Sequence, residues 1–172
     1  MIHLISDKLV EFVEKNSDVI LKEWLNRVCK NKVSTFTDEN IDFVRNKAEF
    51  ILRNLKDWIS YDKSKDEIGE RYANEGKDFF NKGVPLCEVF RTTVLLRRVL
   101  WLFVVNESGF DSAYELHQMR ELNDRVILFF DRSHYYLTRG YMEAMNDKMK
   151  KLWKLTDDET EKVFFHNSFY NK

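Results

Sequence analysis

The sequence predicts an all-α fold: a bundle of about five to six helices whose long C-terminal helix forms a dimeric coiled coil. Three observations carry this expectation. Apolar residues recur at spacings of three and four along nearly the whole chain, and no stretch shows the alternation of a half-buried strand. A single proline in 172 residues leaves long segments without a strong helix breaker. Hydrophobic residues make up 44% of the chain, enough for one domain with a packed core and too many for a disordered one.

The first helix is expected over 2–30, where Ile5, Leu9, Phe12, Val13, Ile20, Trp24 and Leu25 mark one face. A second starts after Thr37 as N-cap, with Asp38 and Glu39 at the positive end of its dipole, and runs to about Tyr61. Ser64 and Glu67 have capping-box spacing for a third, which Gly83 can end in a left-handed turn. Pro85 suits the first turn of a fourth, ending near Gly109. From Asp111 the periodicity continues to about Leu155, with Gly140 a candidate bend. Thr156 and Glu159 offer another capping box, so the chain divides into a helical domain, 1–155, and a connector, 156–172.

The formal charge of −1, with both signs interspersed, gives no electrostatic reason to expect nucleic acid or an anionic membrane as partner. The longest apolar run, VLWLFVV at 99–105, falls far short of the ~20 residues that span a bilayer. The start, MIHLISDKLVEF, does not read as a signal peptide, so a cytoplasmic protein is expected. Cys29 and Cys87 lack ligand spacing and read as structural thiols, small hydrophobes in the packing.

In the last long helix, Leu128, Asp131, Tyr135, Thr138, Met142, Met145, Met149 and Leu152 alternate spacings of three and four, the pattern of a coiled-coil seam. A homodimer would bury it. A second stripe, Leu122, Val126, Phe129, Ser133 and Tyr136, would face the protein's own bundle. The competing reading is one broad apolar face in a monomer.

No residue grouping supports catalysis or a metal site. His3, His117, His134 and His166 have no HxxxH or HExxH relation, and Asp131 with His134 gives only two ligands at helical spacing. There is no Gly-rich phosphate loop and no defensible Ser/His/Asp or Cys/His set, so the chain is expected to be non-enzymatic. The most unusual chemistry lies in LCEVFRTTVLLRRVLWLFVV, where Arg97 shares a face with Leu86, Phe90, Thr93, Trp101 and Val104. An enclosed guanidinium needs acceptors; Glu75, set among Ile68, Tyr72 and Phe79, is one candidate, and Asp124 and Asp131 are others. Such a polar core is either an anion-binding or switchable site or, the simpler reading, a salt bridge fixing helix register. Gly69, Ala73 and Gly76 form a small-residue face that admits a neighbouring helix closely.

The stretch IGERYANEGKDFFNKGVPLCEVFRTTVLLRRVLWLFV, 68–104, followed by ELNDRVILFFDRSHYYLTRGYMEAM, 121–145, resembles the N-terminal domain of the RsbT co-antagonist (RsbRD) family. The resemblance rests on Gly83, Leu86, Glu88 and Val89, on LLRRVLW, and on a long exit helix with tyrosines. It implies a helical sensory or regulatory module joined through its last helix to an output domain. SFYNK, 168–172, resembles the segment that precedes the opening LTGLPNR of GGDEF diguanylate cyclase domains, with Asn171 in place of the usual Asp. The expected function is therefore a dimeric sensor of bacterial signal transduction controlling an output domain beyond Lys172, a diguanylate cyclase before a histidine kinase. Two other classes remain open: a haem-binding sensor of globin-like form with His117 or His134 as axial ligand, and a free-standing module that binds a protein partner.

Overall fold

The computed structural model describes residues 3–30, 36–59, 65–107 and 112–154, together with 156, 158, 159 and 162. Among them are seven α-helices: α1 (His3–Lys15), α2 (Ser17–Lys30), α3 (Asp38–Arg53), α4 (Leu55–Ile59), α5 (Lys65–Asn81), α6 (Leu86–Glu107) and α7 (Ala113–Trp153). They form an all-α bundle. The expected five to six helices become seven because an asparagine divides each of the first two.

The same chemistry makes both breaks. Asn16 Nδ2 donates to Phe12 O at 2.7 Å, while the Asn16 amide is shared between Phe12 O and Val13 O at 3.2 Å each. Asn54 Nδ2 donates to Phe50 O at 2.8 Å, and Asn54 itself leaves helical geometry at φ −126, ψ 29. Asparagine side chains compete with the backbone for nearby carbonyls, and here they bend the chain at two places the apolar periodicity crosses unbroken. The first turn of α4 gains an acceptor from another helix: Lys56 N donates to Glu14 Oε1 at 2.8 Å.

Local start and stop signals fix the other ends. Thr37 caps α3 as expected, in a reciprocal box with Asn40. Asn40 also donates through Nδ2 to Lys82 O at 3.0 Å, tying the start of α3 to the end of α5. Gly83 ends α5 at φ 71. Its amide donates to Phe80 O and that of Val84 to Phe79 O, both at 3.0 Å, a Schellman pattern with Val84 and Phe79 buried together. Ser112 and Glu115 cap α7 in a box absent from the sequence expectation. The expected box at Thr156 and Glu159 forms, with Glu159 N donating to Thr156 Oγ1 at 3.3 Å.

At 41 residues α7 is about 60 Å long and runs through Gly140 without a break. Gly140 instead packs against α5: an added Cβ would lie 1.8 Å from Ala73 O. Across the same contact a Cβ on Gly76 would lie 2.1 Å from Leu137 O, and one on Gly69 would lie 2.9 Å from the Tyr136 ring. Positions rise together on the two helices, so α5 and α7 run parallel and α6 returns the chain between them. The small-residue face of α5 thus serves the close approach expected of it. One end of this contact is pinned by Tyr141, which donates to Val84 O at 3.0 Å and stacks edge-on against Phe80.

The stripe Leu122, Val126, Phe129 and Ser133 is buried against the bundle, continued by Leu137 and Gly140, while Tyr136 is partly buried. Beneath it Trp58 stacks on Phe129 at 6.0 Å and meets Tyr72 edge-on at 5.7 Å. Arg71 closes this cluster from outside, its guanidinium 4.3 Å from the Phe50 ring centroid and 4.6 Å from that of Trp58.

Candidate functional site

Of the three candidate acceptors for Arg97, Asp131 alone reaches it. Arg97 NH1 binds Asp131 Oδ1 at 3.0 Å, but on the surface: the Arg97 side chain is 32% exposed and that of Asp131 60%. Asp124 is exposed. Glu75 lies elsewhere, with Lys47. The enclosed charge on α6 is instead Glu88, 1% exposed, which accepts from Arg91 Nε at 2.8 Å and Arg91 NH2 at 2.5 Å. Arg91 NH2 also donates to Val28 O at 3.0 Å, satisfying a carbonyl in the last turn of α2. Helical phase alone favoured Arg97, whereas an i, i+3 carboxylate, legible in the sequence, gave Arg91 its partner.

Glu75 is 7% exposed and faces a cavity of about 20 Å³, room for a single water, where α2, α3, α5, α6 and α7 meet. Trp24, Tyr72, Thr92, Thr93 and Ser133 are among the residues around it. The three aliphatic hydroxyls already donate to helix carbonyls: Thr92 to Glu88 O, Thr93 to Val89 O and Ser133 to Phe130 O. Trp24 Nε1 donates to Thr92 O at 2.8 Å. The cation near Glu75 is Lys47 Nζ, 3.6 Å away and also 3.9 Å from Asp78. Burial holds the Glu75 carboxyl above its ordinary range, with Lys47 and then Arg71 opposing. Burial, helped by the charge of Glu75, also holds the Tyr72 phenol well above its usual range. Lys47 escaped the sequence reading, although its position within the apolar stripe Val44, Ala48 and Ile51 signalled partial burial.

The second candidate region is the outer face of α7 and its neighbour α6. Leu128 is 47% exposed, Tyr135 64% and Leu152 66%, while Thr138, Met142, Met145 and Met149 are half-buried. On α6, Phe90, Val94 and Val105 are also exposed. The two sets adjoin: Arg97 binds Asp131, and Phe90 packs on His134 with centroids 5.5 Å apart. The contribution of α6 was missed because its apolar residues are spread around the helix.

His134 Nε2 is buried without a hydrogen-bond partner. Burial, then the Arg97 guanidinium, holds its pKa below the ordinary histidine value against the pull of Asp131. His117 is exposed, and neither histidine lines the cavity beside Glu75 or the groove of about 530 Å³ between the α1–α2 bend and α6. Cys29 and Cys87, expected within the packing, are both exposed free thiols. Among the described residues no three His, Cys, Asp or Glu side chains group to hold a metal ion, and no helix is long and apolar enough to cross a membrane. His166 and the aromatic tail Phe164, Phe165, Phe169 and Tyr170 lie outside the described residues.

Comparison of the chain with family models, curated proteins and solved structures returned no match.

Proposed function

We propose that this chain is a sensory or regulatory domain that forms a homodimer along α7 and passes a change in helix packing to an output domain, a diguanylate cyclase by the resemblance of its last residues. One observation supports the reading most: the heptad positions Leu128, Tyr135 and Leu152 stand exposed outside a stripe that already fills the bundle. A monomer leaves this apolar seam in water. Phe90 and Val94 extend it onto α6, so the interface is a pair of helices from each copy. The Arg97–Asp131 pair lies within the face, where a twofold axis can set each charge opposite its counterpart on the other copy.

Two active sites must meet for a cyclase to join two nucleotides, so a shift or rotation of paired α7 helices is a direct means of control. Sedimentation equilibrium tests the dimer. The full chain is expected as a dimer at micromolar concentration, and Leu128→Glu with Tyr135→Glu as a folded monomer. A wild-type monomer at high micromolar concentration sinks the interface. Sequencing the gene past the codon for Lys172 tests the output assignment, which fails if a stop codon follows directly.

A further inference from the structure

Glu75 occupies a position from which a single charge can act on α7. Its neighbour Gly76 lies against the α7 backbone at Leu137 and Tyr141, while its carboxylate reaches Lys47 on α3. That contact, at 3.6 Å, is longer than an ordinary charge-assisted hydrogen bond. The two partners are unequally placed: the Lys47 side chain is 29% exposed and that of Glu75 only 8%. Lys47 can rehydrate by a small rotation; Glu75 cannot.

Resting on the sensor reading above, we propose that Glu75 is the input site of the domain and that its ligand is the proton, whose binding shifts Lys47 of α3 from Glu75 to Asp78 and lets α5 reseat on α7. A hydronium ion entering beside Lys47 transfers its proton to a Glu75 carboxylate oxygen and leaves as water. Lys47 remains an ammonium and moves to Asp78, already 3.9 Å away with a side chain 60% exposed. The neutral carboxyl then suits the surrounding core better than the carboxylate did.

The charged groups around Glu75 are Lys47 from α3 and Arg71 and Asp78 from its own helix. From α2, α6 and α7 the cavity receives Trp24, Thr92, Thr93 and Ser133, none of which carries charge at neutral pH. Asp78, on the exposed side of Lys47, and the Tyr72 phenol are the other titratable groups that couple to it. The raised pKa of Glu75 brings this protonation toward mildly acidic pH.

The experiment is a pH titration of the full chain by NMR, with glutamate carboxyl carbons labelled and the Gly140 amide followed in parallel. The resonance absent from Glu75→Gln is expected to titrate with a midpoint above those of the surface glutamates. Gly140 should shift with the same midpoint in the wild type and stay flat in Glu75→Gln. A Glu75 midpoint within the surface range, or a Gly140 titration unchanged in Glu75→Gln, overturns the proposal. Lys47→Met, which keeps the carboxyl, should move the midpoint higher still, and an unmoved midpoint also overturns it. Sedimentation of the same samples separates the two readings. A monomer whose Gly140 titration depends on Glu75 keeps the proton site and refutes the dimer; a dimer without that dependence keeps the interface and refutes the proton site.

Discussion

Gly140 on α7 meets the carbonyl of Ala73 on α5 so closely that a methyl group in place of its hydrogen would lie 1.8 Å from the oxygen. The obstacle is backbone, which cannot rotate aside as a side chain can. Two helices separated in sequence by the whole of α6 are therefore in register at this point, and the register is set by the absence of a side chain.

Gly140→Ala tests that contact against propensity. In an exposed helix the change would stabilise by about 1 kcal/mol. Here the clash dominates, and a loss of roughly 3 kcal/mol is expected in urea unfolding. Gly76→Ala should behave alike, since its Cβ would lie 2.1 Å from Leu137 O. Gly83→Ala meets no atom within 4 Å and loses only about 1–2 kcal/mol, from its φ of 71.

Glu75→Gln makes stability depend on pH in a defined direction. A carboxyl whose folded pKa is raised above its unfolded value contributes stability that is fully present below the unfolded pKa and is lost as pH rises through the folded pKa. Because burial raises Glu75, the wild type is expected to gain stability relative to Glu75→Gln as pH falls from neutrality into the mildly acidic range. Denaturant midpoints of both proteins across that range measure it; a constant difference would contradict it.

Arg91→Met removes the cation bound to Glu88 and the donor to Val28 O. Truncating one partner of a buried pair costs about 3–5 kcal/mol, because the other charge stays in the core. The double variant Arg91→Met with Glu88→Gln should recover part of that loss, and calorimetric melting of the single and double variants reads the coupling. Arg97→Met, breaking a surface pair, is expected to cost under about 1 kcal/mol in stability.

Asn40→Ala removes two contacts at once: the Oδ1 acceptor for Thr37 N and the Nδ2 donor to Lys82 O. A loss of about 2 kcal/mol is expected. Hydrogen exchange should show faster opening at both the start of α3 and the end of α5. Protection lost at α3 alone would mean that the link to Lys82 carries little energy.

The helical class, the Gly83 stop, the caps at Thr37 and Thr156 and the inward stripe of α7 were legible because each is written in a few neighbouring residues. The breaks at Asn16 and Asn54 were not, since asparagine occurs often within helices and only its side-chain rotamer decides whether it takes the i−4 carbonyl. The partner of Glu75 was illegible for a different reason, and Asp131 could be named for Arg97 only as one of three candidates. Helical phase gives the direction a residue points but not which helix stands there, and the parallel pairing of α5 with α7 follows from no local signal. Exposed positions such as Leu128 and Tyr135 could be separated from the buried stripe because the two sets keep different phases along one helix.

The parallel packing of α5 and α7 also constrains how the chain matures on the ribosome. When the last residue of α6 has been made, the glycine face of α5 still has no surface to meet, because its counterpart begins near Tyr136. About thirty more residues must be added before Gly140 can dock. Until then Tyr72 and Phe79 lack the α7 side of their burial, and the nascent chain carries an open apolar trough of the kind that favours aggregation. Completion of the longest helix, rather than the order of the first six, sets when this protein becomes a closed body.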